Sequence, residues 1–173
     1  AIIFVGLIAV IFAFYKLYSL YMISTAVKKQ ANNKALDAAN PLGRVLKVGQ
    51  DHFNKDIDTL ELKLAEAIMA ERPKIDSGIG FIKIISVIAP LAGLLGTVTG
   101  MIVTFQMITL YGTGDPKLMA GGISQALVTT VLGLLVAIPT SLLHSFTQSS
   151  ARGIVSILEE QSTGILAERA ETK

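Results

Sequence analysis

The chain has 173 residues, a net charge of +2, 51% apolar and 16% charged residues, and a mean hydropathy of +0.59. That balance is typical of a membrane protein rather than a soluble core. The small, scattered charge argues against nucleic acid as a partner. The absence of cysteine and the isolation of the two histidines exclude disulfides, Cys-based chemistry and a histidine metal cluster.

The first apolar segment, residues 1–27, reads as a transmembrane helix. It starts inside an apolar run, with no initiator Met, basic n-region or A-x-A cleavage site, so residue 1 reads as a cut boundary with more protein upstream. Its one charge is Lys16, set among Tyr15, Tyr18 and Tyr21. Lys and Tyr near one end of a span read as an interfacial anchor, with the lysine stem in lipid and its ammonium in the headgroups. The alternative is a lysine inside the bundle, paired with an acid on another chain.

Residues 28–82 form a polar insert. Between residues 28 and 83 lie ten Lys/Arg and eight Asp/Glu. Asn40-Pro41 reads as an N-cap followed by proline at the first helical position. From there Leu42, Leu46, Phe53, Ile57, Leu60, Leu64 and Ile68 keep a helical period. One helix of about 30 residues is expected, ending near Arg72, because Pro73 pushes its predecessor out of the helical region. Its apolar stripe needs a partner helix, from the tail or from another subunit. The tail, residues 149–173, offers Ile154, Ile157, Leu158 and Ile165 at helical spacing.

Two further spans are expected at 83–110 and 122–148, joined by a hairpin at 111–121. Between Lys83 and Arg152 the charges are Asp115 and Lys117. GTGDP at 112–116 is a Gly/Pro turn rather than a phosphate loop. The insert and the tail carry more Lys and Arg than the hairpin, which has Lys117 alone, so by the positive-inside rule both are expected in the cytoplasm, with the N-terminus and the hairpin outside. The fold expected is therefore an all-α membrane protein with three transmembrane helices, N-out and C-in.

Both later spans carry more polar and small residues than an anchor needs. Gly93, Thr97, Gly100 and Thr104 share one helix face, and Gly96 with Gly100 makes a GxxxG pair beside it. Pro90 and Pro139 lie toward the inner ends. On the third span Ala126, Thr130, Gly133 and Ala137 form a small-residue stripe, with Gln125 and Thr129 on a neighbouring face. Gln125 and Thr130 stand about 140° apart around the helix, so they need not touch the same group. For any one threonine, packing with back-bonding to its own helix is the simpler reading. For the whole Gly/Thr face, repeated on two spans, a narrow polar interior is favoured. No span carries Asp or Glu, and Gln and Thr do not titrate near neutral pH. If protons cross here, the titrating carboxylate belongs to another polypeptide. His52 and His144 read as ordinary polar residues. No cofactor and no enzymatic activity are expected.

The runs IAPLAGLLGTVTGMIVTF (88–105) and GGISQALVTTVLGLLVAIPTSLLHSF (121–146) resemble the MotA/TolQ/ExbB proton-channel family, ExbB-like members most closely. The resemblance covers the whole chain. It implies a homo-oligomeric ring, typically of five copies, in the bacterial inner membrane. The pore would hold the single-span helices of an ExbD-like partner, which bring the titrating Asp. Proton flow would drive a TonB-like transducer that energises outer-membrane uptake of iron chelates and similar nutrients. Thr97 and Thr130 match the family's pore threonines. Gln125 stands where ExbB and TolQ relatives commonly have Glu. Two alternatives remain within the family: a TolQ-like subunit serving envelope integrity, and a MotA-like stator, which has four spans and a larger charged domain. A third, of another class, is a non-conducting assembly scaffold packed through the Gly/Thr faces.

Overall fold

The computed structural model describes residues 2–32, 37–112 and 116–172. The middle of the expected outer hairpin, residues 113–115, lies outside the described residues, as does residue 1. The described residues form five helices and no strand: α1 (Ile2–Ala31), α2 (Pro41–His52), α3 (Ile57–Asp76), α4 (Ile79–Tyr111) and α5 (Pro116–Glu171). Three of these are long and apolar enough to cross a membrane, at Ile3–Ala31, Ile79–Leu110 and Met119–Glu171, each with a mean hydropathy of 2.1. This is a multi-pass, all-helical membrane protein. The boundaries expected at 82/83 and 148/149 fall inside continuous helices, because apolar span and polar extension share one backbone.

The chain divides into two compact units, residues 1–14 with 80–145, and residues 15–79 with 146–173. In the first, α4 and α5 pack through small residues, and α1 joins them where Gly6 meets the side chain of Val136. Phe12 and Phe81 make an edge-on ring contact, 5.6 Å between centroids. Large apolar side chains such as Leu94, Leu95, Leu127 and Leu135 remain exposed on the outer faces. In water such a surface would aggregate; in a bilayer it is the lipid or neighbour-facing surface.

The second unit is built on a conventional core. Leu20 and Val27 of α1, Leu42 and Val45 of α2, Leu60 and Leu64 of α3, and Ile154 and Leu158 of α5 are almost fully buried in one cluster. The partner sought for the insert's stripe is thus the tail of the same chain. Each such leucine contributes about 1.5–3 kcal/mol by leaving water.

The single 30-residue insert helix expected from the periodicity is instead two helices. α2 ends at His52, and Asp56 caps α3 by accepting from the Thr59 N–H at 3.0 Å and the Thr59 hydroxyl at 2.9 Å. The cap competes with helix continuation, while both helices still present leucines to one core. The expected stop at Arg72 is also corrected: α3 runs through Pro73 to Asp76. A polar network holds that last turn. Arg44 grips Glu71 with Nε–Oε1 at 2.9 Å and Nη2–Oε2 at 2.7 Å, and Lys74 donates to Oε1 at 2.8 Å. Glu71 and Lys74 therefore straddle Pro73. The fork from Arg44 and the Lys74 ammonium hold the Glu71 carboxyl down at about 2. Arg44 also donates to the carbonyls of Ala38 and Ala39, at 3.1 and 3.0 Å. Asn40 caps α2 through Gly43 N–H at 2.8 Å, and its amide donates to Gln30 at 3.3 Å. α3 turns into α4 through Ser77 and Gly78, the latter at φ 80°, a left-handed conformation suited to glycine.

Candidate functional site

The residues that bring α4 and α5 together are small at nearly every turn. A Cβ placed on Gly133 would lie 2.7 Å from the Ala89 carbonyl oxygen and 2.9 Å from Gly93 Cα. One on Gly93 would lie 3.0 Å from the Thr129 carbonyl oxygen, and one on Gly100 2.8 Å from Ala126 Cβ. The two backbones are therefore in direct contact at the middle of the pair, as small residues permit in a membrane. Between Gly93 and Gly100, Gly96 receives Thr129, and farther along Gly122 receives the Thr104 hydroxyl. Ala89 and Gly122 belong to this packing as well, and the recurrence of small residues at helical spacing on both spans is their signal in the sequence.

The contact centre carries a hydroxyl cluster. The Thr97 and Thr130 hydroxyls are hydrogen-bonded to each other across the two helices. Thr97 also donates to the Gly93 carbonyl at 3.2 Å, and Thr130 approaches the same oxygen at 3.3 Å. Thr129 donates to its own helix at Ala126 O, 2.6 Å, and lies 3.3 Å from Gly93 O. Thr97, Thr129 and Thr130 are half-buried, whereas Thr104 is buried and bonded to Gly100 O at 2.9 Å. The cluster is made of hydroxyls and carbonyls alone. Such a group can donate to and accept from a carboxyl or a hydrated proton, but cannot hold a proton itself near neutral pH. No group of three or more His, Asp or Glu able to hold a metal occurs among the described residues.

The remaining candidates distribute as follows. Gln125 is exposed, one turn before Thr129, and outside the Thr97–Thr130 pair. Pro90 and Pro139 are half-buried inside uninterrupted helices. Pro139 borders an apolar cavity of about 370 Å³ with Leu132, Leu135, Val136 and α1 residues Ile3, Gly6 and Leu7. In the other unit, Tyr15 and Tyr18 are 68% and 65% exposed, while Lys16 between them is only 9% exposed and has Asp76 as an opposite charge. Lys16 is thus turned inward where its tyrosine neighbours face out. His52 Nδ1 pairs with the Val48 carbonyl of its own helix at 2.9 Å.

Residues 37–160 match the family model described as the MotA/TolQ/ExbB proton channel family. Among curated relatives, an ExbB homolog of the biopolymer transport proteins from Methanothermobacter thermautotrophicus is 35% identical over 62% of this chain and 38% of its own length. The biopolymer transport protein exbB1 of Vibrio cholerae is 40% identical over 42% of this chain and 32% of its own. The ExbB of Aquifex aeolicus is 47% identical over 34% of this chain and 39% of its own. The chain thus spans between about a third and two fifths of these relatives' lengths. With the family match covering most of its residues, the chain belongs to the MotA/TolQ/ExbB proton channel family, as an ExbB-like member.

Proposed function

We propose that this chain is a subunit of a proton-driven motor in a bacterial inner membrane. Several copies, typically five, form a ring with the insert and tail in the cytoplasm. The ring encloses single-span helices of an ExbD-like partner, which carry the titrating Asp, and drives a TonB-like transducer of outer-membrane nutrient uptake. The observation that supports this most directly is the half-buried Thr97–Thr130 pair, set between two spans that carry no acid of their own. A polar, non-titrating pair at membrane depth is what a foreign carboxyl would need beside it. The relatives' names, as biopolymer transport proteins, agree with that reading.

One observation favours the scaffold reading instead: the Gly/Thr faces are largely spent on packing α4 against α5 of the same chain. The two readings separate in one experiment. The chain is purified from its native membrane with whatever single-span protein accompanies it, and the complex is placed in liposomes. A motor subunit brings an Asp-bearing partner and conducts protons, and Thr97→Val and Thr130→Val each cut flux about tenfold or more with the complex intact. Flux at the empty-liposome level from an intact complex, or full flux in both variants, overturns the proposal.

A further inference from the structure

Three hydroxyls of the first unit converge on one backbone oxygen. Thr97, Thr129 and Thr130 place their Oγ1 atoms 3.2, 3.3 and 3.3 Å from the Gly93 carbonyl oxygen. A carbonyl oxygen has two lone pairs. Inside α4 one of them takes the Thr97 N–H, four residues along. At most one hydroxyl proton is therefore held at Gly93 at a time. Thr129 has a nearer acceptor in Ala126 O at 2.6 Å, which leaves Gly93 to the other two. Those two are already bonded to each other.

The pair then has two self-consistent arrangements. In the first, one threonine donates to Gly93 O and the other donates to that threonine. Both protons point inward, and oxygen lone pairs face out. In the second, Gly93 O keeps only its N–H. One hydroxyl donates to the other, whose own proton points out of the pair. Both side chains are half-buried, and a polar group reaching the pair from a partner chain would meet this difference.

We infer that the Gly93 carbonyl is the resting acceptor of a two-position hydroxyl pair, which accepts from a carboxylic acid and donates to the same group once it is a carboxylate. Thr129, whose proton goes to Ala126 O, stands outside the pair. No threonine O–H bond breaks. The transferred proton stays on the carboxyl or leaves it for water, and the threonine hydroxyls only rotate. This rests on the proposed function, in which a carboxyl from a partner chain faces the pair. It adds how one uncharged site serves both protonation states of that carboxyl. The facing strips of α4 and α5 hold no titratable side chain, and the α1 segment packed against them, residues 2–14, holds none. Lys83, Lys117 and His144 lie about 20 Å away along their helices.

The experiment is an infrared titration of the partner's span carboxyl in the purified complex, identified by its loss in an Asp→Asn partner. A hydrogen bond donated to the carboxylate lowers its pKa. Thr97→Val and Thr130→Val are each expected to raise the carboxyl's proton affinity about tenfold, the size of one charge-assisted hydrogen bond. Thr97→Ser and Thr130→Ser restore the wild-type titration, because they keep the hydroxyl. Thr129→Val removes a hydroxyl from the same cluster, yet moves the titration by less than a third of that shift. An equal shift in Thr129→Val, or an unchanged titration in both pair variants despite lost flux, overturns the inference while leaving the channel reading intact. A complex with no such carboxyl band overturns the channel reading itself, and the inference with it.

Discussion

Gly93 and Gly133 meet backbone to backbone, so closely that a methyl group on Gly133 would sit 2.9 Å from Gly93 Cα and 2.7 Å from the Ala89 carbonyl. Two effects oppose each other at such a position. Alanine is the better helix former by about 1 kcal/mol. Overpacking costs about 1–3 kcal/mol, and here the obstructing atoms are backbone, which cannot swing aside. Overpacking wins. Gly133→Ala should lower the thermal midpoint of the detergent-solubilised protein, followed by circular dichroism. Gly153→Ala, on the same helix but with nothing within 4 Å of the new methyl, should raise it. Equal shifts in the two variants would remove the packing argument.

Glu71 gives a pH dependence with a definite sign. Its carboxyl is held at about 2, below the ordinary 4.5, by Arg44 and Lys74. A depressed carboxyl stabilises the fold above the unfolded value and loses that contribution as pH falls toward the folded one. The loss should therefore run from about pH 4.5 down to about 2, with an upper size of about 3 kcal/mol. Glu71→Gln removes the charge and should flatten this part of the stability–pH curve. At neutral pH it should cost about 2–3 kcal/mol, because Arg44 loses its charged partner while Glu71's site stays buried. Denaturant titrations of both proteins at pH 3 and pH 7 measure the difference directly.

Much of this molecule was legible in the sequence, for reasons particular residues make plain. Three spans follow from uncharged length, which a bilayer demands and little else does. The pairing of tail with insert followed from two amphipathic stripes that each lacked a cover. The break at Phe53–Asp56 was not legible, because Leu42, Leu46, Leu60 and Leu64 keep one period on either side of it. Asp56 with Thr59 was the cap signal, and the periodicity overrode it. Pro73 misled for a different cause: Arg44 holds Glu71 from 27 residues away, a contact that no local rule reports. At the site, Thr97 and Thr130 could be matched to each other only by resemblance. Their hydrogen bond, and the crowding at Gly93, depend on how two helices roll against each other, which spacing alone leaves free.

Asn40 holds two elements at once, and its loss should show in both. Its side chain accepts from Gly43 N–H at 2.8 Å and donates to Gln30 at 3.3 Å. Replacing a capping Asn by Ala costs about 0.5–2 kcal/mol. Asn40 is only 6% exposed, so water cannot readily take over both bonds. Asn40→Ala should fall at the upper end of that range. It should also speed amide exchange in the first turn of α2, at Gly43 and Arg44, more than in α3. Uniform acceleration across both helices would mean the cap is not local.

The tail packs as a structural part of the insert through Ile154 and Leu158. Leu158 is fully buried in the core that it shares with residues of α1, α2 and α3. Leu→Ala at such a site removes the transfer term and leaves a cavity, at about 2–5 kcal/mol. Leu62, on the outer face of α3, is 70% exposed, and the same truncation there removes little buried surface. Leu158→Ala should therefore lower stability by about 3 kcal/mol and expose the α2–α3 region to limited proteolysis. Leu62→Ala should stay within about 0.5 kcal/mol of the parent. If Leu158→Ala left α2 and α3 protected, the tail would be a passenger and the shared core would be wrong. If Leu62→Ala proved equally costly once the protein is assembled in its native membrane, that exposed leucine would be buried against another chain.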